Sequence, residues 1–331
     1  MASRRHFLAL SAAGVGAAVL GTLPYRGEAQ VLQQTARMVV GFPPGGSIDA
    51  MARLLADRLS GDYAPTVIVE NRAGAGGRIA AGFVKDAEAS GAIITLMPVS
   101  LLVIYPHVFK DLAYDPLTDL SPVASAGSVQ FALSVGKAVP ESVKTVADFG
   151  EWCKANPDRA TFGSAGSGNM AHFAGAMIAD ALGTKMIHVP YKGEAPAIQD
   201  VIGGQVAAGV NVLSAPLPFA LEGRLRILAT TGDTRVESLP DVPTMMESGY
   251  PDVNVQEHFV VMTPGKTSLE MRQKLAASLA RALKTSQVQE GFAKQVVQHV
   301  DSSPEVLAEL LKAEMPKWQS IVQATGFTID G

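Results

Sequence analysis

The sequence predicts an α/β protein built as two domains, each a mostly parallel sheet flanked by helices. Three observations carry that expectation. Strand, glycine-rich turn and helix follow one another repeatedly along the chain, and such alternation implies a parallel sheet covered on both faces. The chain has 331 residues, enough for roughly two domains of ordinary size. A chain this long can bury ample core without covalent staples, its hydrophobic fraction of 47% is ordinary, and the single cysteine, Cys153, rules out an internal disulfide.

The first unit opens with the apolar strand Arg37 to Phe42, broken by Pro43-Pro44-Gly45-Gly46-Ser47. A helix from about Asp49 to Leu59 follows. Met51, Leu54, Leu55 and Leu59 fall on one face of it, with Arg53, Asp57 and Arg58 largely off that face. Thr66 to Glu70 reads as the next strand, ended by Asn71-Arg72-Ala73-Gly74-Ala75-Gly76-Gly77. A helix over Ile79 to Ala87 and a strand over Ala92 to Met97 complete a βαβαβ unit.

A second unit begins after Tyr114-Asp115-Pro116-Leu117, with a strand at Gln130 to Val135 and a helix at Val146 to Ala155. Ala160 to Gly163 is a short strand running into Ser164-Ala165-Gly166-Ser167-Gly168-Asn169, ahead of a helix from Met170 to Leu182. The strand Lys185 to Val189, the turn Pro190-Tyr191-Lys192-Gly193 and a helix from Ala195 to Ile202 come next. Strands near Ala207 to Val212 and Leu225 to Thr230 close the unit. The tail holds a strand at Val255 to Met262, then a helical stripe of Leu275, Leu279 and Leu283. A last helix starts at Ser303-Pro304-Glu305, with Ser as cap and Pro in the first turn, and runs to Gly326. Pro316 is expected to kink or split it.

Residues 1–29 read as an export signal. Arg4 and Arg5 precede an apolar run of 16 residues, Leu8 to Leu23, and Gly27-Glu28-Ala29 offers a small-x-small cleavage site. The run is shorter than the about 20 residues that span a bilayer, and the paired arginines before Phe7 and Leu8 resemble a twin-arginine signal. An uncleaved N-terminal anchor is the alternative. A lipoprotein anchor is excluded, because no cysteine stands at the cleavage point. The full chain carries 27 Lys plus Arg against 31 Asp plus Glu, net −4. Without the signal the balance is 24 to 30 over 302 residues. Such a chain lacks the basic footprint of a nucleic-acid binder. A soluble periplasmic protein is expected.

Catalytic motifs are weak. Neither Ser164 nor Ser167 fits Gly-x-Ser-x-Gly. The histidines at 107, 172, 188, 258 and 299 form no His-x-x-x-His pair and have no nearby cysteine, so no metal is expected. Cys153 shares an amphipathic face with Val146, Phe149 and Trp152 and reads as a packed thiol. Gly166-Ser167-Gly168-Asn169-Met170-Ala171 matches a loose dinucleotide pattern. However, Val189-Pro190-Tyr191 stands where an acidic residue should end the next strand, so no cofactor is expected. The same turn at a helix N-terminus presents unpaired N–H groups that suit a carboxylate, with Ser164, Ser167 and Asn169 as further donors. On the other reading, Ser167 or Asn169 caps its own helix and the glycines only turn the chain. Such turns recur at 43–47, 163–168 and 190–193, where ligands sit in open parallel sheets.

Several motifs together resemble one family. Phe42-Pro43-Pro44-Gly45-Gly46-Ser47-Ile48-Asp49 and Val69-Glu70-Asn71-Arg72-Ala73-Gly74-Ala75-Gly76-Gly77 are similar to the first two signatures of the Bug (TctC-like) solute-binding proteins. These are the extracytoplasmic receptors of tripartite tricarboxylate transporters. Tyr114 to Val123, Gly163 to Gly168 with His172, His188 to Gly193, Leu239 to Thr244 and Trp318 continue the resemblance in order over the whole mature chain.

The resemblance implies a two-domain periplasmic binding protein fold with the ligand cleft between the domains. Residues 30–124 plus 229–331 would form one domain and 125–228 the other. It implies a receptor, not an enzyme, that closes on a small carboxylate or related polar metabolite. The solute would pass to the membrane subunits of a tripartite tricarboxylate transporter, and a monomer is expected. Carried over, Phe42, Pro44, Gly45, Gly46 and Asp49 would meet the ligand from one side. Ser164, Ala165, Gly166, Ser167, Gly168 and His172 would grip a carboxylate from the other, with Tyr191, Lys192 and Gly193 at the border. Asp49 has a second reading as a helix-start carboxylate, His172 as a buried core histidine, and Lys192 as a solvated loop lysine. The sequence departs from the family at Ala176, where Glu is usual, and at Glu88 to Ala92, where a Pro-Asp-Gly-Tyr turn is usual. A ligand sensor docking a membrane signalling protein is the runner-up, and a nucleotide-dependent enzyme using 163–172 a distant third.

Overall fold

The computed structural model describes residues 31–300 and 302–329, so the export signal read at 1–29 lies outside the described residues. The first unit comprises β1 (Ala36–Val40), α1 (Ser47–Leu59), β2 (Val67–Asn71), α2 (Arg78–Lys85) and β3 (Ile93–Pro98). β1 lies between β2 and β3 and is parallel to both. Two short helices, α3 (Ser100–Val103) and α4 (Tyr105–Val108), lead to β4 (Leu120–Val135). The second unit holds α5 (Val146–Ala155), β5 (Thr161–Ser164), α6 (Met170–Ala181), β6 (Ile187–Pro190), α7 (Glu194–Gly203) and β7 (Ala208–Val212). β5 is parallel to β6 and β7. α8 (Leu217–Leu221), β8 (Arg226–Thr230), β9 (Gln256–Pro264), α9 (Leu269–Leu283), α10 (Ser286–Lys294) and α11 (Pro304–Thr325) complete the described chain.

β4 is far longer than expected: 16 residues, where the sequence suggested only Gln130 to Val135. Pro122 and Gly127 disguise its first half. Both sit where the register against β9 shifts, between Pro122 and Ala124 and between Ser125 and Gly127. Proline and glycine are tolerated inside a sheet at such bulges.

This strand joins the two halves. Leu120 to Gln130 pair antiparallel with β9, and β9 pairs antiparallel with β3. From Phe131 to Val135 the same strand pairs antiparallel with β7, and from Ala132 with β8. The sheet runs β2-β1-β3-β9-β4-β7-β5-β6, with β8 branching from β4. Parallel pairs thus form its two ends and antiparallel pairs its centre. The return crossover is stitched to the same place. Thr231 N–H donates to Phe131 O (2.9 Å), Gln130 Nε2 to Thr234 O (2.9 Å), and Gly232 N–H to Gln130 Oε1 (3.2 Å).

Strand direction positions the site. β1 and β3 run the same way as β4, so their carboxyl ends point toward the change of partner at Gln130–Phe131. β5 and β7 run against β4, so the carboxyl end of β5 points to that place from the other half.

α11 is one continuous helix through Pro316, which corrects the expectation of a split. Leu307, Leu311, Trp318 and Val322 are buried on both sides of the proline. Lys312, whose carbonyl loses its helical donor, is exposed. The apolar face outweighs a defect of about 3 kcal/mol that water can partly satisfy.

Candidate functional site

Two of the predicted glycine-rich turns, after β1 and after β5, open toward the change of partner from opposite halves. The first is held by close backbone approach. A Cβ on Gly41 would stand 2.6 Å from Gly77 Cα. Gly45 takes φ +91°, which favours glycine.

Asp49, in the first turn of α1, is 3% exposed and fully engaged within the protein. Its Oδ2 accepts from Gly45 N–H (2.9 Å) and Arg53 Nε (2.9 Å). Its Oδ1 accepts from Arg53 Nη2 (3.0 Å) and Asn71 Nδ2 (2.8 Å), and Asn71 Nδ2 also reaches Phe42 O (3.1 Å). Burial pushes the carboxyl pKa up, but hydrogen bonds from Arg53, Gly45 and Asn71 outweigh it and hold it below the usual range. Asp49 thus braces the turn. Phe42 is half-buried, and Pro44, Gly45 and Gly46 are exposed. No side chain caps α1. The N–H groups of Gly46, Ser47 and Ile48 have no protein acceptor among the described residues.

The second turn is anchored at both ends. Ser164 is fully buried, with its Oγ 2.8 Å from His188 Nε2 and 3.1 Å from Gly166 O. Its carbonyl accepts from Gly166 N–H and Tyr191 N–H, each at 2.9 Å. Asn169 Oδ1 caps α6 by accepting from His172 N–H (3.0 Å), and its Nδ2 donates to Ala165 O (2.8 Å). The capping role therefore belongs to Asn169 and not to Ser167. Gly168 is buried and donates its N–H to His172 Nδ1 (3.2 Å). The N–H groups of Ala165 and Ser167, with the Ser167 hydroxyl, remain without a protein partner among the described residues. Ala165, Gly166 and Ser167 are half-buried.

His172, 8% exposed, stacks on His188. Burial pushes the His172 pKa down to about 4. Burial, with His172 beside it, does the same to His188. Both rings are neutral at pH 7.

Tyr191 Oη donates to Asp200 Oδ2 (2.7 Å), and its ring lies where a Cβ on Gly163 would come within 2.9 Å. Lys192 is exposed. His188 opens the His188–Gly193 motif but is not among the ligand contacts that the resemblance implies. The helix expected from Ala195 starts one residue earlier, at Glu194, whose Oε1 accepts from Val212 N–H (2.9 Å). An acidic residue in a helix's first turn is ordinary, and nothing local signals its half-burial.

A surface groove of about 490 Å³ lies between α1 and α10, lined by Arg53, Leu54, Asp57, Gly291 and Lys294, and carries none of the turn donors. Cys153 is buried, with its thiol pKa pushed up to about 12 by burial. Among the described residues no group of three or more His, Cys, Asp or Glu could hold a metal, and no helix is long and apolar enough to cross a membrane.

The tripartite tricarboxylate transporter family receptor (TctC) profile matches residues 51–327. Protein BugT of Bordetella pertussis is 34% identical over 292 residues, covering 88% of this chain and 89% of BugT. The solved periplasmic binding protein BugD aligns with a TM-score of 0.77 at 30% identity, over 90% of this chain and 99% of BugD. R. palustris Rpa4515, solved with adipate, gives 0.80 at 29% identity over 89% and 98%. MatC (Rpa3494) from Rhodopseudomonas palustris, with bound malate, gives 0.76 at 27% identity over 87% and 99%.

Proposed function

Because the chain belongs to the TctC family of tripartite tricarboxylate transporter receptors, we propose that it is a periplasmic receptor that captures a small carboxylate for such a transporter. The observation that carries this reading is the pair of turns with unpaired N–H groups. Gly46, Ser47 and Ile48 present theirs at the start of α1, and Ala165 and Ser167 present theirs ahead of α6. Both sets open toward Gln130–Phe131 from opposite halves. Backbone donors at helix N-termini favour anions without any formal charge. That suits a chain of net charge −4, which cannot draw an anion by its overall field. Adipate in Rpa4515 and malate in MatC are both dicarboxylates, which supports the ligand class.

Residues 30–124 plus 229–331 and 125–228 form the two domains in this reading. The bend lies at Gln130–Phe131 and Thr231–Gly232, where both crossovers are bonded together. Closure about that bend brings the two sets of donors onto opposite ends of one ligand. The segment 1–29 exports the protein to the periplasm. The protein acts as a monomer, and the ligand is released unchanged.

A thermal-shift and calorimetry screen of malate, succinate, glutarate and adipate tests the reading. The expected result is saturable stabilisation following RT ln(1 + [L]/Kd), with the ligand recovered intact and affinity reduced in Ser167→Ala. No stabilisation by any carboxylate, or consumption of the bound compound, overturns it.

A further inference from the structure

Glu194 brings a carboxyl group to one of the two binding turns. β5 pairs with β7 as far as Gly163 beside Gly209. β7 then continues toward the junction past the end of β5, and on this free edge Val212 N–H donates to Glu194 Oε1 (2.9 Å). Continuing the parallel register would set Val212 level with Gly166. The Glu194 carboxyl therefore occupies the ground that β5 vacates where the 164–168 turn leaves the sheet.

Its other oxygen, Oε2, carries no protein hydrogen bond, and no Lys, Arg or His pairs with Glu194 among the described residues. Lys192, two residues away, is exposed. Asp49 on the opposite turn makes the contrast, since Arg53, Asn71 and Gly45 satisfy it completely. A half-buried carboxyl with one backbone donor and no cation is poorly compensated. Burial pushes its pKa up to about 7, in keeping with that geometry.

Resting on the carboxylate-receptor reading, we propose that Glu194 selects a carboxylate that also carries an amino group. The 164–168 turn holds the ligand's carboxylate through the Ala165 and Ser167 N–H groups, and Glu194 Oε2 accepts from the ammonium beside it. An α-amino acid presents both groups on one carbon. A plain dicarboxylate offers Glu194 no cation.

Calorimetry on the exported protein and on Glu194→Gln, with succinate against aspartate, glutarate against glutamate and adipate against 2-aminoadipate, tests this. The wild type is expected to bind the amino member of at least one pair tenfold or more tighter. Glu194→Gln should remove that preference by weakening the amino member alone, with circular dichroism unchanged. Equal or tighter binding of the plain acids, or equal weakening of both members in the variant, overturns the role of Glu194 and leaves the carboxylate reading standing. Silence from all six compounds overturns the role of Glu194, and silence from malate as well overturns both.

Discussion

His172 and His188 stack with ring centroids 4.0 Å apart and planes 24° apart, and each ring holds one end of the same turn. His188 Nε2 meets Ser164 Oγ at 2.8 Å, and His172 Nδ1 accepts from Gly168 N–H at 3.2 Å. Phe162 lies against His188, and the Phe327 edge meets His172. The Gly168 bond needs a lone pair on Nδ1, so it exists only while His172 is neutral. The 164–168 turn is thus tied at both ends to a pair of uncharged rings.

This arrangement predicts a pH dependence. Both folded-state values lie near 4, against 6.5 for an ordinary histidine. Between those limits the unfolded chain takes up protons that the folded protein refuses, so this contribution destabilises as pH falls from about 6.5 to 4. For His172 the shift is worth about 3 kcal/mol at most. His172→Gln should be less stable than wild type at pH 7.5 through lost packing, and the gap should narrow or close at pH 4.5. His188→Gln should behave alike. Thermal melts across that range check it, and a gap independent of pH overturns it.

Asp49 yields a second prediction. Neutralising it in Asp49→Asn removes the charge that holds Arg53 and leaves Gly45 N–H with a weaker acceptor. A loss of about 1–3 kcal/mol in urea denaturation is expected. Affinity should fall for every carboxylate tested, because the turn loses its brace. An increase in affinity for dianions would instead place the Asp49 carboxylate against the ligand.

The turns are legible in the sequence because their glycines meet steric demands. Gly45 and Gly168 take positive φ, and Gly41 and Gly163 have neighbours where a Cβ would stand. The parallel strands show as short apolar runs bounded by turn residues, and the amphipathic helices show through their periodicity. β4 hides behind Pro122 and Gly127, whose bulges are set by the partner strand and leave no local mark. Which donors remain free is also illegible. Gly45 and Gly168 spend their N–H groups on Asp49 and His172, and Ser164 meets a histidine 24 residues away. Such bonds depend on how separate elements pack. The burial of Glu194 and Glu257 has the same origin.

Glu257 gives the last prediction, opposite in sign to that of the histidines. It lies on β9 opposite Val129 of β4, is 7% exposed, and accepts from Ser100 N–H (3.1 Å). Burial pushes its carboxyl up to about 7, and hydrogen bonds from Ser100 and Val99 offset this only in part. The folded protein therefore keeps a proton that the unfolded chain gives up above its ordinary value of 4.5. Stability is undiminished by this group below about pH 4.5 and declines as pH rises to about 7, by about 3 kcal/mol at most. Glu257→Gln keeps the shape and removes the ionisation. It should match or slightly trail the wild type at pH 5 and exceed it at pH 8, read from urea midpoints at constant m-value. The histidine and glutamate contributions oppose each other between about pH 4.5 and 6.5. The wild-type curve is accordingly flattened there, while His172→Gln and Glu257→Gln tilt it in opposite directions. If Glu257→Gln is destabilised equally at pH 5 and pH 8, the carboxylate is ionised in the folded protein and the Ser100 and Val99 donors outweigh its burial.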